Sequence, residues 1–258
     1  RSITKSWVKY IRRYLYILFK RQQSLEIFKI SDKHNFILWI NFSAPSLGDS
    51  LMDLSSRVLL TNRKVDLVTN KKNANLYKND LVFSSVYSDI NDLVNKNYDL
   101  VIIDSYSTRS IKIKTKVAKL KPFFGMYGYF NGPEVNRVLF SFHQMNSFIG
   151  YIKTESEVNK IAKSSLSISN DDQKLVKKLE LPINFIAIAI GGEWDYRTYK
   201  NWRKVIEILF LKDKSLQIIL LGSDNAKESE KEILEHFSTS HLVSYVSKLT
   251  FNQTGEII

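Results

Sequence analysis

The stretch from Asn35 to Leu60, NFILWINFSAPSLGDSLMDLSSRVLL, constrains the fold more than any other part of the chain. An apolar run over 36–42 meets a loop of small residues, and Gly48-Asp49 then opens an amphipathic segment. This order predicts a strand, a tight loop and a helix. In open α/β folds such a loop lies at the carboxyl edge of the sheet, where ligands bind.

Asp49 is the carboxylate that this unit presents. It would lie at a helix amino terminus, whose unpaired N–H groups and positive dipole end attract a negative charge. Asp is also a preferred N-cap residue. The fragment alone therefore favours a capping role for Asp49 over a functional one.

From residue 35 onward, strand and helix signals alternate, which predicts parallel sheets with crossover helices. In the first series the predicted strands are 36–42, 64–69, 81–87 and 98–104, and the predicted helices are 49–60, 88–96, 109–120 and, after a less regular region, 142–163. In the second series the predicted strands are 184–190, 216–221 and 242–246, and the predicted helices are 199–211 and 224–237.

Two such series predict two Rossmann-like domains that face a cleft. A polar segment rich in Ser and Asp, 164–172, is the expected boundary between them. The predicted organisation is a basic helix and linker over 1–34, a first domain over 35–163, a linker over 164–183, and a second domain over 184–258. The second series stops after three strands, and 254–258 resembles the start of another helix. Because a domain usually has about 100–150 residues, the second domain is expected to be incomplete.

The charge of the chain indicates an anionic partner. The 258 residues carry a formal net charge of +12 and no cysteine, so disulfides and thiolate metal sites are excluded. The partner could be a nucleic acid, a phosphorylated substrate or an anionic lipid, although scattered lysines can equally form a solvated surface. Nucleic acid ranks last, since no recognition helix or RNA-binding signature is present.

Several familiar sites are absent from the sequence. There is no G-x-G-x-x-G, P-loop or G-x-S-x-G motif, and the four histidines lack the spacing of a zinc site. The adjacent Asp171-Asp172 lie in the expected linker. Chemistry that needs neither a metal ion nor another cofactor is therefore predicted.

Residues 5–21, KSWVKYIRRYLYILFKR, have a helical period. Apolar side chains lie on one face and basic ones on the other; the apolar positions are Trp7, Ile11, Tyr14 and Leu18. The apolar runs are far shorter than the ~20 residues of a membrane span, and no signal-peptide cleavage site follows. The segment suits the surface of an anionic membrane and equally suits packing on the protein's own core.

Two glycine turns mark a second candidate site. Gly191-Gly192 follow the strand predicted over 184–190, and Gly222-Ser223 follow the next strand. Such turns expose backbone N–H groups beside a helix start, an arrangement that suits a phosphate. Arg197 and Lys200 could supply positive charge there.

Taken in order, these segments resemble the heptosyltransferases of glycosyltransferase family 9, which transfer heptose from an ADP-sugar onto lipopolysaccharide core. The resemblance runs from about Asn35 to the end of the chain. It is carried by SAPSLGDSLMDLSSRVLL, NYDLVIIDSYSTRS, FHQMNSFIGY with its leading His143, AIAIGGEWDYRTYKNW with its Lys200-x-Trp202 pattern, IILLGSDNAKESEKEI and KLTFNQTGEII.

The resemblance implies a GT-B fold, with the acceptor on the first domain and the nucleotide-sugar, an ADP-sugar by analogy, on the second. It implies that Asp49 is the catalytic base of an inverting, metal-independent transfer. It places Ser46, Gly48, Arg109 and Ser110 at the acceptor and Gly191, Gly192, Arg197, Lys200, Gly222 and Ser223 at the donor. The acceptor would be an anionic lipid-linked glycan, and the protein would act in the cytoplasm, at the inner face of the inner membrane. The alternative is a non-catalytic relative that binds nucleotide or glycan.

The chain departs from the family pattern at three places. Gly191-Gly192 stand where the family usually has Pro-Gly, and Arg203 follows the Trp where the family often has Pro. The Asp-Thr-Gly segment that completes the family's nucleotide site would fall beyond Ile258. The last part of the donor site is therefore expected outside this sequence.

Overall fold

The computed structural model describes residues 3–60, 62–129, 136–192 and 195–258, and the chain divides into two compact units, Arg1–Ser167 and Ile168–Ile258. In the first unit the helices are α1 (Ile3–Phe19), α2 (Leu47–Asp53), α3 (Lys71–Tyr77), α4 (Thr108–Val117), α5 (Arg137–Phe148) and α6 (Glu155–Ile161), and the strands are β1 (Phe36–Asn41), β2 (Lys64–Thr69), β3 (Phe83–Tyr87), β4 (Leu100–Ile103) and β5 (Phe123–Gly125). In the second unit the elements are α7 (Asn170–Lys177), β6 (Ile186–Ala189), α8 (Trp202–Lys212), β7 (Ile218–Leu221), α9 (Lys227–His236), β8 (Leu242–Ser244) and α10 (Phe251–Ile257). The exact domain boundaries given above stay a prediction.

The first unit is built on a parallel sheet with the strand order β3-β2-β1-β4-β5, so β1 is central. Its apolar run is buried on both faces, with Ile37 and Trp39 in one core cluster and Leu38 and Ile40 in the other. Burial of both faces is the reason that this strand is continuously apolar rather than alternating. The predicted α/β class and the central position of this strand are confirmed.

The second unit is built on a parallel sheet with the order β6-β7-β8. Helix α7 and helix α10 cover one face, where Val176 and Ile257 pack with Leu221. The Asp172 carboxylate accepts a hydrogen bond of 2.9 Å from the Gln253 amide and thereby joins the two helices. The helix expected from residue 254 belongs to α10, which begins earlier because Thr250 caps it.

Several predicted elements are wrong in extent. The helix expected over 88–96 is a 3₁₀ turn at Asn91–Leu93, since the Asp89 carboxylate binds the Asn91 N–H locally. The helix expected over 142–163 is two helices, because Gly150 has a φ of +97° and turns the chain. The helix expected over 49–60 ends at Asp53, and the 3₁₀ stretch Ser55–Leu60 follows. Strand β5, which is only three residues long, was not predicted. The short helices α3 and α7 were not predicted either, and α7 lies within the predicted linker 164–183.

The loops after β4 and β5 meet through Tyr106. A Cβ atom at Gly125 would lie 2.0 Å from the Tyr106 ring, so a glycine is required there. The Tyr106 N–H donates a 2.7 Å hydrogen bond to the Gly128 carbonyl. These contacts fix two neighbouring loops at the carboxyl edge of the first sheet.

Candidate functional site

Asp49 lies in the first turn of α2, just beyond the carboxyl end of the central strand. The N-cap residue of this helix is Ser46, so a capping role for Asp49 is wrong. The Ser46 hydroxyl accepts the Asp49 N–H at 3.2 Å and donates to Asp49 Oδ2 at 2.6 Å. Ser46, which was predicted to bind an acceptor, thus donates its only hydroxyl proton to the Asp49 carboxylate and orients it.

Arg137 joins Asp49 to a second carboxylate. It is the first residue of α5, which begins there because the Asn136 side chain caps the helix. Arg137 Nη1 lies 3.1 Å from Asp49 Oδ1, while Nε and Nη2 bind both oxygens of Asp53, the latter at 2.9 Å. This two-pronged pairing with Asp53 is the strongest geometry available to a guanidinium group. Arg137 therefore locks Asp49 from the side opposite to Ser46.

Asp53 is the buried member of this cluster, with 2% of its surface exposed. Burial raises the pKa of Asp53 to about 6, against the opposing attraction of Arg137. The Tyr127 ring lies under the guanidinium group at 5.4 Å, and burial together with the Asp53 charge raises the pKa of its phenol. The Asp53 carboxyl group therefore holds its proton to a higher pH than an ordinary aspartate does, because burial raises its pKa.

Gly48 leaves open space above the first turn of α2. It is exposed, and a Cβ atom built on it would meet no atom within 4 Å. No packing in the described structure therefore demands a glycine next to Asp49. The backbone at this point is open to a ligand.

Asp104 organises the loop that precedes α2. Its buried carboxylate accepts the N–H groups of Phe42 and Ser43 at 2.8 and 2.6 Å, and the Ser110 hydroxyl at 2.6 Å. Ser110, a predicted acceptor residue, is therefore fully buried and holds Asp104 in place. Arg109 is exposed on the same helix start, with Nη1 3.4 Å from the Phe42 carbonyl oxygen.

In the second unit, the two glycine turns are brought together by packing. Cβ atoms at Gly191 and Gly222 would lie 2.9 and 2.6 Å from the Ala226 Cβ atom, so both glycines let the start of α9 approach the strand ends. Gly192 is equally crowded, since a Cβ atom there would lie 2.8 Å from the Arg197 carbonyl oxygen. Packing by itself explains these glycines.

The polar residues predicted around these turns are exposed. Arg197 and Lys200 lie on the surface before α8, and Ser223 lies after β7 with its hydroxyl 2.7 Å from the Asn225 amide oxygen. The Asn225 side chain also donates to the Gly192 carbonyl and ties the two turns together. Glu193 and Trp194, within the predicted donor segment, lie outside the described residues.

Two kinds of feature are absent from the described parts of the chain. Over 3–60, 62–129, 136–192 and 195–258, no three His, Asp or Glu side chains converge in the way that a metal site requires. None of the helices in these ranges is long and apolar enough to cross a membrane.

Sequence reasoning missed Asp53, Arg137 and Asp104. A signal existed for Asp53, which follows Asp49 by four residues and so shares its helix face. Asp104 ends a predicted strand at the ligand-binding edge. Arg137 had no local signal, because it reaches Asp53 across 84 residues of sequence.

Comparison with known proteins identifies the fold. No protein-family profile matches the chain, and no curated protein sequence matches it. Among solved structures, ADP-heptose lipopolysaccharide heptosyltransferase II of E. coli superposes with a TM-score of 0.63 at 17% identity, over 86% of this chain and 75% of that one. A family 9 glycosyltransferase of Veillonella parvula gives 0.67 at 10% identity, over 88% and 74%. The E. coli heptosyltransferase WaaC with ADP gives 0.58 at 15% identity, over 86% and 77%.

The two parallel sheets with their crossover helices match GT-B glycosyltransferase structures. Within that class, the fold is that of the family 9 heptosyltransferases. The predicted fold class is therefore confirmed. At identities this low the likeness shows the fold alone.

Proposed function

We propose that this protein is a glycosyltransferase that moves a heptose or a related sugar from a nucleotide-sugar onto a lipopolysaccharide or similar surface glycan. The observation that carries the proposal is the Asp49 carboxylate, held by Ser46 and Arg137 at the carboxyl edge of the central strand. A carboxylate fixed on two sides, beside the open backbone of Gly48, is arranged to meet an incoming hydroxyl group.

Asp49 serves as the general base. The acceptor hydroxyl oxygen attacks the anomeric carbon of the sugar, its proton passes to Asp49, and the bond from that carbon to the diphosphate breaks with its electron pair on the nucleotide. Attack opposite the leaving group inverts the anomeric centre. Ser46 and Arg137 each occupy one lone pair of Asp49, and each carboxylate oxygen keeps a second for the acceptor proton.

The acceptor is recognised on the first unit at Gly48 and the loop that Asp104 organises, and Ser46 contributes by orienting the Asp49 carboxylate. Arg109 is the exposed cation of this loop, suited to the carboxylates or phosphates of an anionic glycan. Ser110 contributes through Asp104, whose carboxylate it holds. A lipid-linked acceptor would place the reaction at a membrane surface, which we assign to the cytoplasmic face of the inner membrane.

The donor is recognised on the second unit by Gly191, Gly192, Arg197, Lys200, Gly222 and Ser223. Arg197 and Lys200 would offset the charge that develops on the departing diphosphate, work that is electrostatic and needs no metal ion in principle. By analogy with the WaaC structure that contains ADP, the nucleotide is ADP.

The test is calorimetric titration of ADP and UDP into the protein. Lys200→Ala should weaken ADP binding by about tenfold, since it removes one charge beside the diphosphate. The matched control is Lys204→Ala, another exposed lysine, which lies in the first turn of α8. Equal loss in both variants, or none in either, contradicts the donor assignment. Nucleotide binding without transfer to any lipid-linked glycan would support the non-catalytic alternative.

A further inference from the structure

Helix α1 packs on the first unit through an unusual face. The side chains that it buries include Arg13 and Ile17, with Tyr10 partly buried beside them. Ile17 joins the apolar cluster on one side of the sheet. Arg13 donates a hydrogen bond to the Tyr129 carbonyl, and the Tyr10 and Tyr129 rings lie 4.5 Å apart. The helix is thus anchored largely by polar and aromatic contacts.

The more apolar face of α1 points away from the protein. The exposed apolar side chains on this face, with the fraction of their surface exposed, are Trp7 (61%), Val8 (62%), Ile11 (50%), Tyr14 (36%), Leu15 (56%), Leu18 (39%) and Phe19 (78%). At 3.6 residues per turn they form one stripe along a helix roughly 25 Å long. If α1 packed on the core through its apolar face, the apolar positions Trp7, Ile11, Tyr14 and Leu18 would be buried. Trp7, Ile11 and Leu18 are instead clearly outside the core.

Basic side chains border this apolar stripe. Lys5 and Arg12 are exposed and follow Phe19 around the helix, at the edge of the stripe. Arg21 is exposed just beyond the last turn, and the Lys20 ammonium lies 5.4 Å from the Phe19 ring. The first turn of α1 contains no acidic residue. An apolar stripe with a basic border is complementary to a surface that is apolar within and negatively charged outside.

The position of α1 relates it to the candidate site. Its partner Tyr129 follows β5, and the Tyr129 ring lies 4.8 Å from that of Tyr106, which follows β4. Both residues belong to loops at the carboxyl edge of the sheet, the same edge at which Asp104 and Asp49 lie. A surface bound by α1 would therefore lie beside the loops of the first unit.

We infer that α1 docks this protein onto an anionic lipid bilayer, with its axis in the plane of the surface and its apolar stripe among the acyl chains. The charges select this occupant. A second copy of a chain with a net charge of +12 would bring further positive charge to a face that is already basic. An anionic lipid surface attracts these side chains and accepts the apolar stripe together.

The test is co-sedimentation of the full chain with phosphatidylcholine vesicles, with or without phosphatidylglycerol. The protein should bind the anionic vesicles at least about tenfold more tightly, and added salt should weaken that binding. Trp7→Ser/Ile11→Ser/Leu15→Ser should reduce binding by about tenfold or more, because it removes three inserted side chains. All three are exposed, so the fold should be kept, as circular dichroism would verify.

Two control variants sharpen the test. Leu81→Ser/Ile183→Ser/Leu211→Ser removes three exposed apolar side chains outside α1 and should leave vesicle binding unchanged. Lys177→Gln/Lys178→Gln should weaken anionic binding far less than Lys5→Gln/Arg12→Gln, although each pair removes two exposed charges.

Three results would overturn the inference. The first is equal binding to neutral and anionic vesicles. The second is an equal loss of binding in the α1 variants and their controls. The third is an absence of vesicle binding. In that case the apolar stripe of α1 is covered in another way, either by a second copy, which light scattering would show as a dimer that the triple α1 variant abolishes, or by another part of the protein. Vesicle binding and sugar transfer are measured separately, so either can fail alone.

Discussion

Replacing Asp53 with Asn should change how the stability of the first unit depends on pH. The pKa of Asp53 is raised from 3.8 to about 6 in the folded protein, chiefly by burial. Below pH 3.8 the carboxyl group is protonated in both the folded and the unfolded chain. As the pH rises through 6, the folded state must ionise a buried group, and the stability contributed by its protonated form is lost.

The expected magnitude follows from the two pKa values. At about 1.4 kcal/mol per pH unit, a rise from 3.8 to about 6 corresponds to roughly 3 kcal/mol. Asn cannot titrate. The free energy of unfolding of the wild type minus that of Asp53→Asn should therefore fall by about 2.4 kcal/mol between pH 4 and pH 7, because much of the unfolded chain is already ionised at pH 4. Arg137 stays charged between pH 4 and pH 7, so its contacts do not change the direction in which this difference in free energy changes with pH.

The assay is urea unfolding followed by the fluorescence of buried Trp39, in a background where the other three tryptophans are Phe. Asp92→Asn, at an exposed aspartate of the same unit, measures the effect of an ordinary surface carboxylate. A wild-type minus Asp53→Asn difference that stays flat or rises with pH would refute the reasoning. It would mean that pairing with Arg137 outweighs burial.

Replacing each of two glycines with alanine should change the stability of the first unit in opposite directions. Gly125→Ala places a Cβ atom 2.0 Å from the Tyr106 ring and should lower the free energy of unfolding by roughly 1–3 kcal/mol in a urea titration. Gly48→Ala meets no atom within 4 Å and lies in a helix, so stability should be kept or raised by up to ~1 kcal/mol. Sugar transfer by Gly48→Ala should nevertheless fall about tenfold, because the acceptor approaches this backbone; unchanged transfer would remove Gly48 from the acceptor site.

The sequence predicted the sheets well because their signals are local. The apolar run over 36–42 is buried on both faces, and continuous burial leaves a continuous pattern. Shorter elements were lost for physical reasons. Strand β5 has three residues, too few for a period to emerge. The turn at Asn91 is decided by one hydrogen bond, which the Asn91 N–H donates to the Asp89 carboxylate.

The candidate site was predictable only in part. Asp49 and Ser46 lie within one turn of helix, so their neighbourhood follows from the local sequence. Arg137 is brought to them by the packing of α5 on α2, a contact between segments 88 residues apart. The outward orientation of the apolar face of α1 was also undecided, because periodicity shows that a helix has two faces and not which face packs.

Sugar transfer by the full-length protein, with and without Asp49→Asn, tests the central claim most directly. The assay follows release of ADP and labelling of a lipid-linked glycan from an ADP-sugar, with Asp92→Asn as the matched exposed control. The amide keeps the shape, since its oxygen can still accept from Arg137 and its NH₂ group can donate to the Ser46 hydroxyl, but the amide cannot take a proton. We expect kcat to fall by about 10²–10⁴-fold while ADP affinity is unchanged. Transfer by Asp49→Asn at a rate close to that of the wild type would contradict the assignment of Asp49 as the general base.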